Sequence, residues 1–327
     1  MLDPHWLVRQ WRAPTFAGQL LLRPVSWVFR LLVALRRCAY RVGLRRVVRL
    51  PVPVVVVGNL GVGGSGKTPL VLHLASALRA AGRRPGIVSR GHGGRDPTPR
   101  RIGPDAEPAE VGDEPALMAR RSGCPVAVGA DRPAAAALLL PDCNVILADD
   151  GLQHLALGRD LEIAVIDGDL DADNGRLLPA GPLREPRSRL QRVDLVAVRG
   201  GARPGAWSFD VRAGAPRRLV DDRPGPELEA WAGQAVHAVA GIGVPERFFS
   251  QLERAGLEVE RHPFADHHPY RSDDLAFPGD APILMTEKDA VKCRAFATDR
   301  MWYLPAEVAD PDGLASAVIE RLERGAH

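Results

Sequence analysis

The run Gly61-Val-Gly-Gly-Ser-Gly66-Lys67-Thr68 is a glycine-rich loop that ends in a cation and a hydroxyl. Such a loop lets backbone N–H groups turn inward around a phosphate, and a helix N-terminus behind it favours the negative charge. In this pattern Gly61, Gly63, Gly64, Ser65 and Gly66 cradle the phosphates of a nucleotide. Lys67 reaches the β- and γ-phosphates, and Thr68 holds Mg²⁺. The Val-rich run Val54–Val57 precedes the loop and the helix-forming stretch Leu70–Ala80 follows it, so the required strand–loop–helix context is present. Partitioning-type ATPases carry Lys at the second loop position; Val62 stands there, which argues against that group.

A second element, Asn144-Val-Ile-Leu-Ala-Asp149-Asp150, is an apolar strand that ends in two carboxylates. Paired with a phosphate loop, one of the two holds the metal or its water shell; alone, Asp-Asp-Gly reads equally well as a turn or cap. Phosphoryl transfer to a hydroxyl also needs a proton acceptor. Val111-Gly-Asp113-Glu114-Pro115 offers two acids just before a helix, where capping is the plainer role. Asp266-His267-His268 offers a metal site, an Asp–His pair facing a cleft, or solvated loop residues. Nucleotide binding alone leaves three functions open: a phosphotransferase, a hydrolytic switch or metallochaperone, and a membrane adaptor with a vestigial site.

These residues sit at the ends of short apolar runs: Val54–Val57, Gly86–Val88, Val126–Val128, Val145–Leu147, Ile163–Ile166 and Leu195–Val198. Near-continuous Val, Ile and Leu predict strands buried on both faces, as in a parallel sheet with helices on each side. Polar residues collect after the strands, at the edge where open α/β sheets bind ligands. The predicted fold is therefore α/β, with a P-loop NTPase-type parallel sheet and a smaller α/β C-terminal domain joined to it by a β-hairpin connector. The expected division is 1–47, a basic amphipathic membrane-interface region; 48–205, the phosphate-loop domain; 206–225, the hairpin of Trp207–Arg212 with Arg217–Val220; and 226–327, a domain closing over the nucleotide. The last is expected to include helices near Pro245–Ala255 and Gly313–Arg324.

Residues 1–49 carry ten arginines and one acid, Asp3, although the whole chain is only +3. That front end calls for an anionic surface. Its aromatics, Trp6, Trp11, Phe16, Trp27 and Phe29, lie among aliphatics, which fits a membrane interface better than nucleic acid. Arg23 and Arg30 interrupt the apolar run, so the expectation is a helix lying on the membrane rather than crossing it. Pro24 is expected at its first position, with Arg30, Arg37, Arg41 and Arg45 on one stripe opposite Val28, Leu31, Leu32 and Leu35. The four cysteines lack metal-type spacing and read as thiols in a reducing compartment, and no secretory signal is read. A charged fraction of 25% against 46% hydrophobic residues excludes a largely disordered chain. Lysine occurs only at 67, 288 and 292 in this arginine-rich sequence, which marks each of the three.

Eight blocks occur in order: Gly58-Asn-Leu-Gly-Val-Gly-Gly-Ser-Gly-Lys-Thr-Pro69, Ser89-Arg-Gly91, Gly112-Asp-Glu-Pro115, Asp149-Asp-Gly-Leu-Gln-His154, Leu178-Pro-Ala-Gly-Pro-Leu-Arg-Glu-Pro186, Gly241-Ile-Gly, Asp266-His-His268 and Met285-Thr-Glu-Lys-Asp-Ala-Val-Lys292. Together they resemble the tetraacyldisaccharide 4'-kinase family. The resemblance implies transfer of the γ-phosphate of ATP to the 4'-hydroxyl of an acylated glucosamine disaccharide 1-phosphate, giving lipid IVA at the cytoplasmic face of the bacterial inner membrane. It implies Asp113 as catalytic base with His267 as its partner, and Asp149, Asp150 and Glu185 serving Mg²⁺ and ATP. Arg90, Arg132 and Arg184 become anion contacts. The family commonly has Tyr where His92 stands. The expected state is a monomer.

Overall fold

The computed structural model describes residues 4–168 and 174–325; Asp3, the one acid of the front segment, lies outside them. In chain order the strands are β1 (Val54–Asn59), β2 (Pro85–Ser89), β3 (Arg100–Ile102), β4 (Val126–Val128), β5 (Val145–Asp149), β6 (Leu161–Asp167), β7 (Leu195–Arg199), β8 (Trp207–Ala213), β9 (Arg217–Arg218), β10 (Ala235–Ala240), β11 (Glu258–Pro263), β12 (Ile283–Thr286), β13 (Met301–Leu304) and β14 (Ala306–Ala309). The helices are α1 (Pro4–Arg12), α2 (Phe16–Arg41), α3 (Lys67–Ala80), α4 (Pro108–Val111), α5 (Asp113–Arg121), α6 (Arg132–Ala137), α7 (Pro245–Arg254), α8 (Glu287–Cys293) and α9 (Leu314–Arg324).

Among the described residues the strands form two sheets, in the orders β14-β8-β7-β6-β1-β5-β2-β4-β3 and β11-β10-β12-β13-β9. The large sheet is parallel except at its edges, where β3 and β14 run antiparallel to their neighbours. Strand β1 is fully buried because both of its faces are covered. Val55 and Val57 join Leu70, Leu74 and Leu78 of α3, while Val54 and Val56 join Leu139, Leu152 and Leu157 on the other face. The predicted strand runs and the mixed α/β class hold.

Two expectations are corrected. Strands β8 and β9 do not form a hairpin: β8 pairs with β7 and β14 in the large sheet, whereas β9 pairs with β13 in the small one. The chain therefore crosses between sheets at residues 214–216 and returns at Pro305. Helix α9 does not complete the smaller unit either. Its stripe of Leu314, Ala315, Val318 and Leu322, at helical spacing, packs into the core of the large sheet with α3. The last stretch of chain thus folds back on the first sheet.

Helix α2 begins at Phe16, not at Pro24, which lies inside it. The Thr15 side chain caps the helix by accepting from the Gly18 N–H, and Leu22 and Ser26 pack against the body on either side of the proline. The Ser26 hydroxyl donates to the Leu177 carbonyl, and Arg37 reaches Glu185 at 2.9 Å. Leu22, Ser26, Phe29, Val33 and Arg37 recur at three or four residues and make the body-facing side. Leu20, Trp27, Leu31 and Leu35 are all more than half exposed on the opposite side. Arg37 consequently faces the protein, and Arg45 lies beyond the helix end; the basic rim of the exposed ridge is Arg23, Arg30 and Arg41, roughly aligned because they lie about two and then three helical turns apart.

Candidate active site

The phosphate loop leaves β1 and enters α3 at Lys67. Asn59 donates to the Gly63 carbonyl and the Val62 N–H to the Pro182 carbonyl, which fix the loop at its base. Gly66 holds φ +84°, and a Cβ there would approach Arg199 at 3.1 Å, so both backbone and space require glycine. Around Gly63 and Gly64 nothing lies within 4 Å of a Cβ position, which leaves room for a phosphate. Gly63 to Thr68 all line one cleft of about 1220 Å³, together with Ser89, Arg90, Asp149 and Asp150.

Parallel pairing of β1 with β5 puts Asp149 level with Val57, beside the loop. Asp149 is 1% exposed; it accepts from the Ser89 hydroxyl, and its Oδ1 has no hydrogen-bond partner. Burial, then Glu114 and Asp150, push its pKa up, only partly offset by Lys67 and Arg132. Burial works the same way on Asp150, but Lys67 at 3.6 Å and Arg184 at 3.0 Å prevail and hold its carboxyl below the usual range. A hard divalent cation suits such a place: an orphaned buried carboxylate oxygen, a second carboxylate, and the Thr68 hydroxyl in the same cleft.

Of three residues expected at ligands, one lies outside the cleft and two line it with their charges engaged. Arg132 lines the cleft but is 1% exposed and donates to the Gly129 and Asp149 carbonyls, so it braces the end of β5. Burial lowers its pKa to about 10, which still leaves a cation under Asp149. Glu185 is buried and does not line the cleft; it accepts from Arg37 and from Gln153, whose amide also donates to the Asn59 carbonyl. It is therefore a strut between α2 and the loop. Arg184 lines the cleft but is engaged with Asp150. Arg90 lines it and is exposed. His154 also lines the cleft, and burial with Arg132 and Arg90 pushes its pKa down to about 4, so it is neutral at physiological pH.

The other half of the cleft comes from both sheets. Asp113 starts α5, and its Oδ2 lies 3.0 Å from His267 Nδ1. Gly112 (φ +92°) allows the approach of the Gly91–Gly94 loop, since a Cβ there would stand 2.3 Å from the His92 carbonyl. His92 in turn meets His267 edge-on at 5.9 Å, so an imidazole fills the aromatic position beside the pair. Lys288 Nζ lies 3.4 Å from His267 Nε2, 3.1 Å from Asp266 and 3.6 Å from Glu114; Lys292 Nζ lies 3.6 Å from Asp113. An ammonium only donates and a carboxylate only accepts, so these neighbours assign the tautomer: Nδ1–H to Asp113, lone pair on Nε2. His267 lines the cleft, whereas Asp113 lies behind it. Burial would raise the Asp113 pKa, but the His267 hydrogen bond and the charges of Lys292 and Lys288 hold it low. The Asp113 hydrogen bond raises that of His267 against burial. His267 and Asp150 both hold positive φ, 62° and 46°, uncommon for residues with a Cβ, and both carry side chains of the cleft.

The motif reading left Lys288 and Lys292 without a role, yet Lys288 lines this cleft with Lys67, and Lys292 stands behind it, 3.6 Å from Asp113. Their rarity was the available signal. Arg121 and Arg247 had none: each bridges the two sheets, to Glu287 at 2.5 Å and to Asp167 at 2.8 Å.

The chain is similar to known proteins over nearly its whole length. The family model described as tetraacyldisaccharide-1-P 4'-kinase matches residues 18–323. The tetraacyldisaccharide 4'-kinase of Alkalilimnicola ehrlichii is 54% identical, over 98% of this chain and 96% of its own. That of Methylobacillus flagellatus is 50% identical with the same coverage. The solved "apo" form of LpxK from Aquifex aeolicus in complex with ATP superimposes with a TM-score of 0.79 at 29% identity, covering 93% of this chain and 99% of that one.

Proposed function

Since this chain belongs to the tetraacyldisaccharide-1-P 4'-kinase family, we infer that it transfers the γ-phosphate of ATP to the 4'-hydroxyl of a tetraacyldisaccharide 1-phosphate, forming lipid IVA in lipid A biosynthesis. The observation that carries the chemistry is one cleft holding both a phosphate loop with paired carboxylates and an Asp–His pair from across the sheets.

In this reading Lys67 and the amides of Gly61 to Gly66 bind the phosphates of ATP. Thr68, Asp149 and Asp150 hold Mg²⁺, which neutralises charge on the phosphates when bound. Lys67 stabilises the charge that builds as the γ-phosphoryl group leaves. Asp113 and His267 act as one base: the carboxylate holds Nδ1–H, and Nε2, facing the cleft, takes the proton of the sugar hydroxyl. Glu114 and Asp266 hold Lys288 beside Nε2, where its charge steadies a phosphorylated product. Arg90 and Arg184, both lining the cleft, would offer contacts to substrate phosphate.

Helix α2 brings this site to the lipid. It is apolar and long enough to span, but its body-facing side is occupied from Gly18 to Arg37, so it lies along the membrane surface with Leu20, Trp27, Leu31 and Leu35 inserted. In this reading the protein acts on the cytoplasmic face of the inner membrane and as a monomer; one chain supplies both halves of the cleft, so the site is complete without a second copy. Thin-layer detection of labelled phosphate moving from ATP to the disaccharide lipid tests the reaction. Hydrolysis of ATP without lipid phosphorylation would return the protein to the switch class.

A further inference from the structure

His237 lies on β10 directly opposite Glu260 of the edge strand β11, and His262 follows two residues later on the same face of β11. Parallel register therefore gathers three metal-ligating side chains at one spot of the small sheet, and none of them lines the cleft. His237 Nδ1 is 3.1 Å from His262 Nε2 and 3.2 Å from Glu260 Oε2; His262 Nε2 is 3.7 Å from Glu260 Oε1. Ligand atoms around a tetrahedral ion with bonds of about 2.0–2.1 Å stand about 3.3 Å apart, so these spacings match one face of such a shell.

Two further contacts fix the rings. His237 Nε2 is 3.3 Å from the Pro278 carbonyl, which can only accept, so the proton is on Nε2 and the lone pair of Nδ1 points at the cluster. A ring nitrogen held this way by a backbone carbonyl is the usual support of a metal-bound histidine. Phe277 stacks on both imidazoles, 4.7 Å from His237 and 3.9 Å from His262. The histidines are thus held in ligand geometry, while Glu260, 65% exposed, leaves the fourth position open to water.

We propose that His237, Glu260 and His262 form a binding site for one divalent transition metal of the Zn²⁺ class. Two imidazoles and a carboxylate select Zn²⁺, Co²⁺ or Ni²⁺ over Mg²⁺, which prefers oxygen and six ligands. The ion would clip the edge strand β11 to β10. Strand β11 ends at Pro263, four residues before His267, so the clip would also steady the loop that carries the cleft histidine.

The test uses the untagged full chain, stripped with a chelator and titrated with Co²⁺ in excess Mg²⁺, which keeps the carboxylates of the cleft occupied. Wild type is expected to take up one Co²⁺ with the intense visible absorption of a tetrahedral ion. Competition with a chromophoric chelator should show Zn²⁺ binding at least about tenfold weaker in Glu260→Gln and lost in His262→Ala. If His262→Ala fails to fold, the exposed Glu260→Gln carries the test alone. No uptake by wild type, or uptake of unchanged affinity in Glu260→Gln, would overturn the proposal. So would weak, octahedral-type absorption that survives both substitutions, since it would place the ion in the cleft.

Discussion

Lys67 and His267 face the same cleft but arrive there by different routes. Lys67 opens α3 directly after the strand and loop that define it, and the main partner from elsewhere is β5, paired with β1 from Val54–Ile146 to Val57–Asp149. His267 sits on a loop after the edge strand of the small sheet and meets Asp113 across 154 positions of chain. The nucleotide half is thus a local device carried by one buried sheet. The acceptor half exists only while two sheets are held together by Asp113–His267, Lys288–Glu114, Arg121–Glu287 and Arg247–Asp167. Hinged or sliding sheets would leave the first half intact and take the second apart, which suits an enzyme that must bind ATP before committing it.

The largest loss of kcat is expected in the acceptor half. Asp113→Asn and His267→Ala should each lower kcat by about 10²–10⁴-fold while the KM for ATP stays near wild type. Acting as one unit, the double variant should be little worse than the worse single. Fully multiplicative losses would mean that the two work separately and would break the picture of a joint base. Lys67→Ala follows, with a loss of about 10²–10³-fold in kcat. Its thermal transition should move little, because the side chain's ion pair with Asp150 is a 3.6 Å one and Asp150 keeps Arg184 at 3.0 Å. Turnover within a few-fold of wild type would remove Lys67 from phosphoryl transfer.

The same contrast explains what could be read from the sequence. The strands of the large sheet and the phosphate loop were legible because each is encoded within a dozen residues, as a Val-rich run, glycines at fixed offsets and a helix start. Asp113 and His267 gave only ambiguous local signals, a helix cap and a loop histidine among their readings; resemblance to a family linked them, and packing of α5 against α8 shows why they meet. Glu185 and Arg132 were assigned to ligands through the family resemblance; the fold buries both, tying Glu185 to Arg37 and Gln153 and Arg132 to the Gly129 and Asp149 carbonyls. The β8–β9 hairpin failed for a related reason. Two β-rich runs around a turn predict pairing with each other, but the partner of β8, Val308 with its neighbours, comes from the end of the chain, too far away for any pattern to announce.

A smaller effect sharpens the acceptor half. His267 must be neutral to accept a proton, and its hydrogen bond to Asp113 raises its pKa above the ordinary value near 6.5. Activity should therefore fall as pH drops through a pKa above that value. Asp113→Asn removes the anion that favours the imidazolium, so the acid limb of its kcat/KM profile should move to lower pH even as its height falls. The ionisation of substrate phosphate is common to both proteins and cancels in the comparison. An acid limb at the same pH in both would mean that another group controls it.

The smallest effect on kcat concerns α2, which is locked to the nucleotide half through Arg37, Glu185 and Gln153 and presents its other side outward. Two sets of arginines on one helix should then behave differently. Arg23, Arg30 and Arg41 border the exposed apolar ridge, and each contributes about 1 kcal/mol near an anionic leaflet. Replacing all three with Gln should weaken binding to anionic vesicles by at most about a hundredfold. Binding to neutral vesicles should change little, because insertion of Trp27, Leu31 and Leu35 is untouched by charge or salt. In mixed micelles the loss should appear as a higher KM for lipid, with kcat and the KM for ATP unchanged. Arg37→Met should do the reverse. It leaves Glu185 buried with Arg189, 3.5 Å away, as its remaining cation, which lowers thermal stability and disturbs Gln153 at the loop, while binding to anionic vesicles stays near wild type. A triple variant that binds anionic vesicles as tightly as wild type would leave the apolar ridge as the sole anchor. An Arg37→Met protein that loses vesicle binding but keeps its stability would show that Arg37 faces lipid rather than Glu185.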